Sequence, residues 1–157
     1  MSKNFDPGDV GIVSEWIRQE IGRISDEYWK AFFSERGRAK KEGDQFRWRA
    51  GCRVREFEYG AYIQWFYIVP IGKGKTAQKV PLLEDKERTA LKRFARMRDL
   101  MPSEKAVVRS VKSYAKPYAD LGKRIQKYNR IGKAVMKTAE SMGMDREDVE
   151  AELHSED

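Results

Sequence analysis

Gly51-Cys52-Arg53-Val54-Arg55-Glu56-Phe57-Glu58-Tyr59-Gly60-Ala61-Tyr62-Ile63-Gln64-Trp65-Phe66-Tyr67-Ile68-Val69-Pro70 is the one β-rich stretch of the chain, and a basic segment, Ile71-Gly72-Lys73-Gly74-Lys75, comes directly after it. Branched and aromatic residues flank Tyr59-Gly60, where glycine can supply the positive φ of a tight turn. The pattern predicts a strand over Cys52–Glu58, a turn, and a second strand over Tyr62–Val69. Pro70 ends it, because proline has no N–H for a ladder. Alternation puts Ile63, Trp65, Tyr67 and Val69 on one face of the second strand and Tyr62, Phe66 and Ile68 on the other. Both faces are apolar, so the strand is expected to be covered on both sides. A lone hairpin is marginal in water, and helices before and after it must supply the cover.

Upstream, Val13, Ile17, Ile21, Ile24, Tyr28 and Phe32 recur at steps of three and four, with Trp16 and Phe33 widening the stripe. This predicts an amphipathic helix that starts near Val10, with Asp9 as N-cap, and ends between Ser34 and Lys40. Its aromatic end is the natural partner of the hairpin. Between them, Phe46 and Trp48 alternate with Arg47 and Arg49, so an extended chain sets rings on one side and guanidiniums on the other. That arrangement suits bases and phosphates, and it equally suits the core and wet sides of a strand.

Downstream, Pro81 is followed by acidic Glu84, Asp85 and Glu87 and then by basic Arg93, Arg96 and Arg98, an order that complements a helix dipole. With Leu83, Ala90, Leu91, Phe94, Met97 and Met101 as its apolar side, this predicts a helix from Leu83 to Met101. Pro102-Ser103 breaks the chain, and Ser103 can cap the next helix. Val107, Val111, Tyr114, Tyr118, Leu121, Ile125, Tyr128, Gly132, Val135, Ala139 and Met142 then recur at alternating steps of four and three, a coiled-coil-like seam. Pro117 predicts a kink or a second helix. The seam packs either on the rest of this chain or on a second copy as a homodimer. Gly143 suits a helix C-terminus, and Asp145 with Asp148 suggests a last short helix from Arg146 to Leu153. The expected fold is α+β: a long N-terminal helix, a central antiparallel hairpin or small sheet, and C-terminal helices. The expected organisation is an arm over 1–8, an α-β-α core over 9–101, a helical extension over 103–142 and an acidic tail over 143–157.

Charge is polarised along this frame. The chain has 157 residues and a formal net charge of +7. Residues 36–55 hold eight basic side chains against two acidic, residues 104–137 ten against two, and residues 138–157 one against eight. A basic middle suits a polyanion, though charged helix faces are also simply solvated. Arg47, Arg49, Arg53 and Arg55 precede the turn and Lys73, Lys75 and Lys79 come after it, while Arg124, Lys127 and Arg130 line a basic flank of the last helix. These are the candidate nucleic-acid-binding residues.

Most site chemistry is excluded by composition. Cys52 is the single cysteine and His154, near the end of the sequence, the single histidine, which leaves no intramolecular disulfide, no His/Cys metal cage and no Ser-His or Cys-His pair expected in an ordered core. Arg53 beside Cys52 could lower its pKa, but burial in a strand is the simpler fate of that thiol. Gly72-Lys73-Gly74-Lys75-Thr76 lacks the glycine spacing of a phosphate-binding P-loop, since Val69 stands where the first glycine is required. No signal peptide or membrane-spanning run is present in the sequence given. The expectation is a cytoplasmic, non-enzymatic protein with no metal and no cofactor.

Tyr28-Trp29-Lys30-Ala31-Phe32-Phe33, Gly51-Cys52-Arg53-Val54-Arg55, Tyr62-Ile63-Gln64-Trp65-Phe66-Tyr67 and the loop Ile71-Gly72-Lys73-Gly74-Lys75 together resemble the MobI-like family of conjugative mobilisation proteins, over roughly residues 24–137. The chain departs from that pattern in an extra loop glycine and in Gln78-Lys79-Val80 where a tyrosine is expected. The resemblance implies a DNA-binding accessory acting at a transfer origin beside a relaxase or another transfer protein, rather than the nicking enzyme. The alternative is a protein-interaction module, an adaptor or inhibitor of a host or phage machine, that uses the hairpin aromatics and the helical seam.

Overall fold

The computed structural model describes residues 7–70 and 77–143. The element order is α1 (Pro7–Glu42), β1 (Ala50–Phe57), β2 (Gly60–Val69), β3 (Gln78–Leu83), β4 (Ala95–Arg96), a 3-10 turn (Met97–Asp99) and α2 (Pro102–Ser141). This is an α+β fold with a long helix at each end and a four-stranded sheet, ordered β1-β2-β3-β4, between them.

The hairpin forms where the alternation places it. Phe57 pairs with Gly60, Arg53 with Gln64 and Ala50 with Tyr67, all antiparallel. The turn lies at Glu58-Tyr59, one residue earlier than the sequence suggests. Gly60 is not in the left-handed region; only Gly43 and Gly143 are, among the described residues. Gly60 is needed for close approach instead, because a Cβ there would stand 3.0 Å from Ile17 Cγ2 and 3.5 Å from Gly122 Cα. Both helices meet at this spot.

α1 runs longer than expected, through Gly37 to Glu42. Arg38 bridges the weak point, pairing with Glu35 at 2.6 Å and also with Glu42. Gly43, at φ +72°, then ends the helix, and the Asp44 N–H reaches back to the Ala39 carbonyl at 2.8 Å. α1 buries Ile17, Ile21, Ile24, Tyr28 and Phe32 as its stripe predicts.

The expected helix over Leu83–Met101 does not form. Residues 78–83 are instead a third strand, with Tyr67 opposite Val80 and Phe66 opposite Pro81. Leu82 then pairs in parallel with Ala95. Arg96 holds the intervening loop, donating through Nη1 to the carbonyls of Glu84, Asp85 and Glu87 at 2.8–3.0 Å. The Asp85 carboxylate accepts the Arg98 N–H at 2.8 Å. These contacts claim the groups that a helix would have bonded internally. The segment buries Leu82, Ala95, Met97 and Leu100, while Leu91 stays exposed.

α2 is one helix of 40 residues, about 60 Å long, with Pro117 inside it rather than a break. Its N-cap is Met101, not Ser103. Its buried residues are Glu104, Val108, Val111, Ala115, Gly122 and Ile125. The stripe read from the sequence shares Val111 and Ile125 with this set, and it leaves Tyr114, Tyr128 and Val135 exposed. The expected tail helix over Arg146–Leu153 and the loop over Gly72–Thr76 lie outside the described residues. Among those described, no helix is long and apolar enough to cross a membrane.

Candidate nucleic-acid interface

The sheet has two unlike faces because strand side chains alternate. One face carries Ala50, Cys52, Ala61, Ile63 and Trp65 against the helices. Tyr28 of α1 stands edge-on to Trp65, 4.9 Å between ring centres, and donates its hydroxyl to the Ala50 carbonyl at 2.5 Å. Burial pushes that phenol far above its usual range. Cys52 is buried here, 3.5 Å from the Ser25 hydroxyl, and loss of solvent raises its thiol pKa to about 11. It is a core residue, and the neighbouring Arg53 points to the opposite face.

Glu104 fixes one edge of this arrangement. Its carboxylate is buried and accepts the backbone N–H groups of Arg49, Ala50 at 2.8 Å and Met101 at 3.2 Å. Thus one side chain caps the start of α2 and tethers β1 to it. Burial raises its pKa, opposed by those three backbone hydrogen bonds and by the charge of Arg49. Trp48 beside it is buried and donates its indole N–H to the Ser103 hydroxyl at 3.2 Å. Phe46 and Trp48 therefore face the core, against Phe32, and Arg47 points to water. The aromatic–arginine alternation of this lead-in resolves as core side and wet side, and no ring of it is presented to a base.

The other face is where the second strand's expected double cover fails. Among the described residues no helix lies over Arg53, Arg55, Tyr62, Gln64, Phe66 and Lys79. Arg53 and Arg55, two apart on β1, both donate Nε to Gln64 Oε1 across the hairpin, at 2.7 and 2.9 Å. Arginine has only donors, so the Gln64 carbonyl oxygen must face both. Its amide nitrogen is then turned away, and it makes no hydrogen bond among the described residues. Neither guanidinium has a carboxylate partner among those residues. On α1, by contrast, Arg18 pairs with Glu15, Arg23 with Glu20, Lys30 with Glu27 and Arg38 with Glu35.

Phe66 is held flat on the sheet. A Cβ on Gly51 would sit 2.3 Å from its ring, so only glycine admits it there. Lys79 closes over the outer side, with Nζ 4.6 Å from the ring centre. Phe66 is only 8% exposed as a result, whereas Tyr62, the next aromatic on this face, is 39% exposed.

Of the ten candidate residues, Arg53 and Arg55 come together at Gln64, and Lys79 lies on the same face further along, opposite Ile68. Exposed Arg47 and half-buried Arg49 come just before β1. Lys73 and Lys75 lie outside the described residues. Arg124, Lys127 and Arg130 are exposed on α2, which packs under the covered face. They form a second basic surface in the other layer of the molecule and do not extend the first. Gln64 and Tyr62 were not among the candidates. The available signal was Gln64 itself, the one amide in an otherwise apolar and aromatic strand. No group of three or more His, Cys, Asp and Glu able to hold a metal ion occurs among the described residues.

No family model, curated protein or solved structure matches the chain.

Proposed function

We propose that this protein is a non-enzymatic, cytoplasmic DNA-binding accessory of conjugative transfer initiation, working beside a relaxase or another transfer protein, and that it holds DNA on the open face of the sheet. The transfer role rests on the resemblance of residues 24–137 to MobI-like proteins. The DNA role rests on one observation above all: Arg53 and Arg55 are aligned side by side by Gln64, with no carboxylate between them among the described residues. Two like charges held together in this way suit an external anion that spans both, as a nucleic-acid backbone does. Lys79, Arg47 and Arg49 add to the field.

Fluorescence anisotropy on labelled DNA across a salt series tests this. Submicromolar binding near physiological salt with a steep slope is expected. The double variant R53A/R55A is expected to weaken all sequences alike and to lower the slope by about 1.4–1.8, since each phosphate contact contributes about 0.7–0.9. An unchanged slope removes this face from the interface.

The protein-interaction reading has its own support. Ile12, Trp16, Tyr128, Ile131 and Val135 are large apolar side chains left in water on the two helices. Partner capture that survives high salt, needs Tyr128 and ignores Arg53 and Arg55 would favour it.

A further inference from the structure

We infer that the DNA held on the open sheet face is single-stranded, with Tyr62 as the stacking platform for a base and the Gln64-aligned arginines as the seat for the adjoining phosphates. This rests on the reading of that face as a DNA interface.

Chemistry carries this reading. The face is not a plain cationic surface. Tyr62 lies beside Phe57, 6.4 Å between ring centres, and keeps 39% of its surface in water. Arg55 and Tyr62 are direct cross-strand partners, as are Arg53 and Gln64. An exposed ring therefore stands next to a guanidinium pair, on one face of one hairpin. Duplex DNA hides its base faces and leaves such a ring nothing to stack on. An unpaired strand offers both a base face and a flexible backbone. The Gln64 amide N–H, turned away from the arginines, is a donor free to meet a base edge.

The rest of the face fits a platform that is already built. Phe66 is pinned between Gly51 and Lys79, so the floor beneath the strand is rigid, and Tyr62 is the ring left available.

The test uses the full chain with a labelled single-stranded oligonucleotide and with the duplex of the same sequence, by anisotropy at several salt concentrations. Wild type is expected to bind the single strand about ten-fold or more tightly than the duplex. Y62A is expected to lower single-strand affinity about ten-fold at an unchanged salt slope, because stacking carries no counterion release. Y62F should retain the binding, since a ring remains, and it also controls for folding. Duplex bound as tightly as single strand, or a single-strand affinity that Y62A leaves unmoved, overturns the inference while the DNA reading stands. No binding of either DNA above the level that any basic protein shows overturns both.

Discussion

The two faces of the hairpin are built from alternate residues of the same two strands, and they have opposite fates. Cys52, Ala61, Ile63 and Trp65 lie under α1 and α2, whereas Arg53, Arg55, Tyr62 and Gln64 lie in the open. On the covered face every polar group named above has a partner within the fold: the Tyr28 hydroxyl meets a carbonyl and the Glu104 carboxylate takes three N–H groups. On the open face two guanidiniums share one amide oxygen and have no counter-charge among the described residues. One face commits its side chains to the core; the other holds two like charges side by side through a shared amide oxygen.

Substitutions sharpen this contrast. Tyr28→Ala removes a fully buried ring and its hydrogen bond, and it should cost about 4 kcal/mol of stability in denaturant unfolding. Glu104→Ala leaves three backbone N–H groups near the core without their acceptor and should cost about 3 kcal/mol. The pH dependence of that site has a definite sign. The Glu104 pKa is raised in the fold, so its contribution is full below the ordinary carboxyl value and is lost as pH rises through the folded value. Glu104→Gln keeps an acceptor but cannot ionise. Compared with it, wild type should lose more stability as pH climbs from about 4 to neutrality; parallel profiles would show that the carboxyl is not perturbed. The arginine pair should behave oppositely to the core. R53A/R55A should change stability by less than about 0.5 kcal/mol, or raise it slightly by relieving like charges, while it weakens DNA binding. A loss comparable to that of Glu104→Ala would make the pair structural and erase the distinction between the faces.

How much of this could be read in the sequence depended on range. α1 and the hairpin were legible because their periods, 3.6 and 2, are local and strong: Ile17, Ile21, Ile24 and Tyr28 fall on one stripe, and Trp65 and Phe66 on opposite faces. The segment after Pro81 was not legible. Its apolar residues imitate a helix, but Arg96 binds three carbonyls nine to twelve residues earlier and Leu82 pairs with Ala95, contacts that no local window contains. Val107, Val111, Tyr118, Leu121 and Ile125 of the α2 seam do pack on the core, whereas Glu104, Ala115 and Gly122 were missed because a hydrophobic count does not select them. Arg53 and Arg55 were legible as candidates by charge. Gln64 was not, since its role appears only once the register sets it opposite Arg53. That the face is open could not be read at all; it depends on both helices choosing the same side.

The most direct test is to titrate isotope-labelled full-length protein with single-stranded DNA and to follow amide chemical shifts. Shifts centred on Arg53, Arg55, Tyr62, Gln64 and Lys79, with Tyr28 and Trp65 on the covered side little moved, are expected. Shifts confined to the α2 flank around Arg124, Lys127 and Arg130, with the open face silent, would contradict the account.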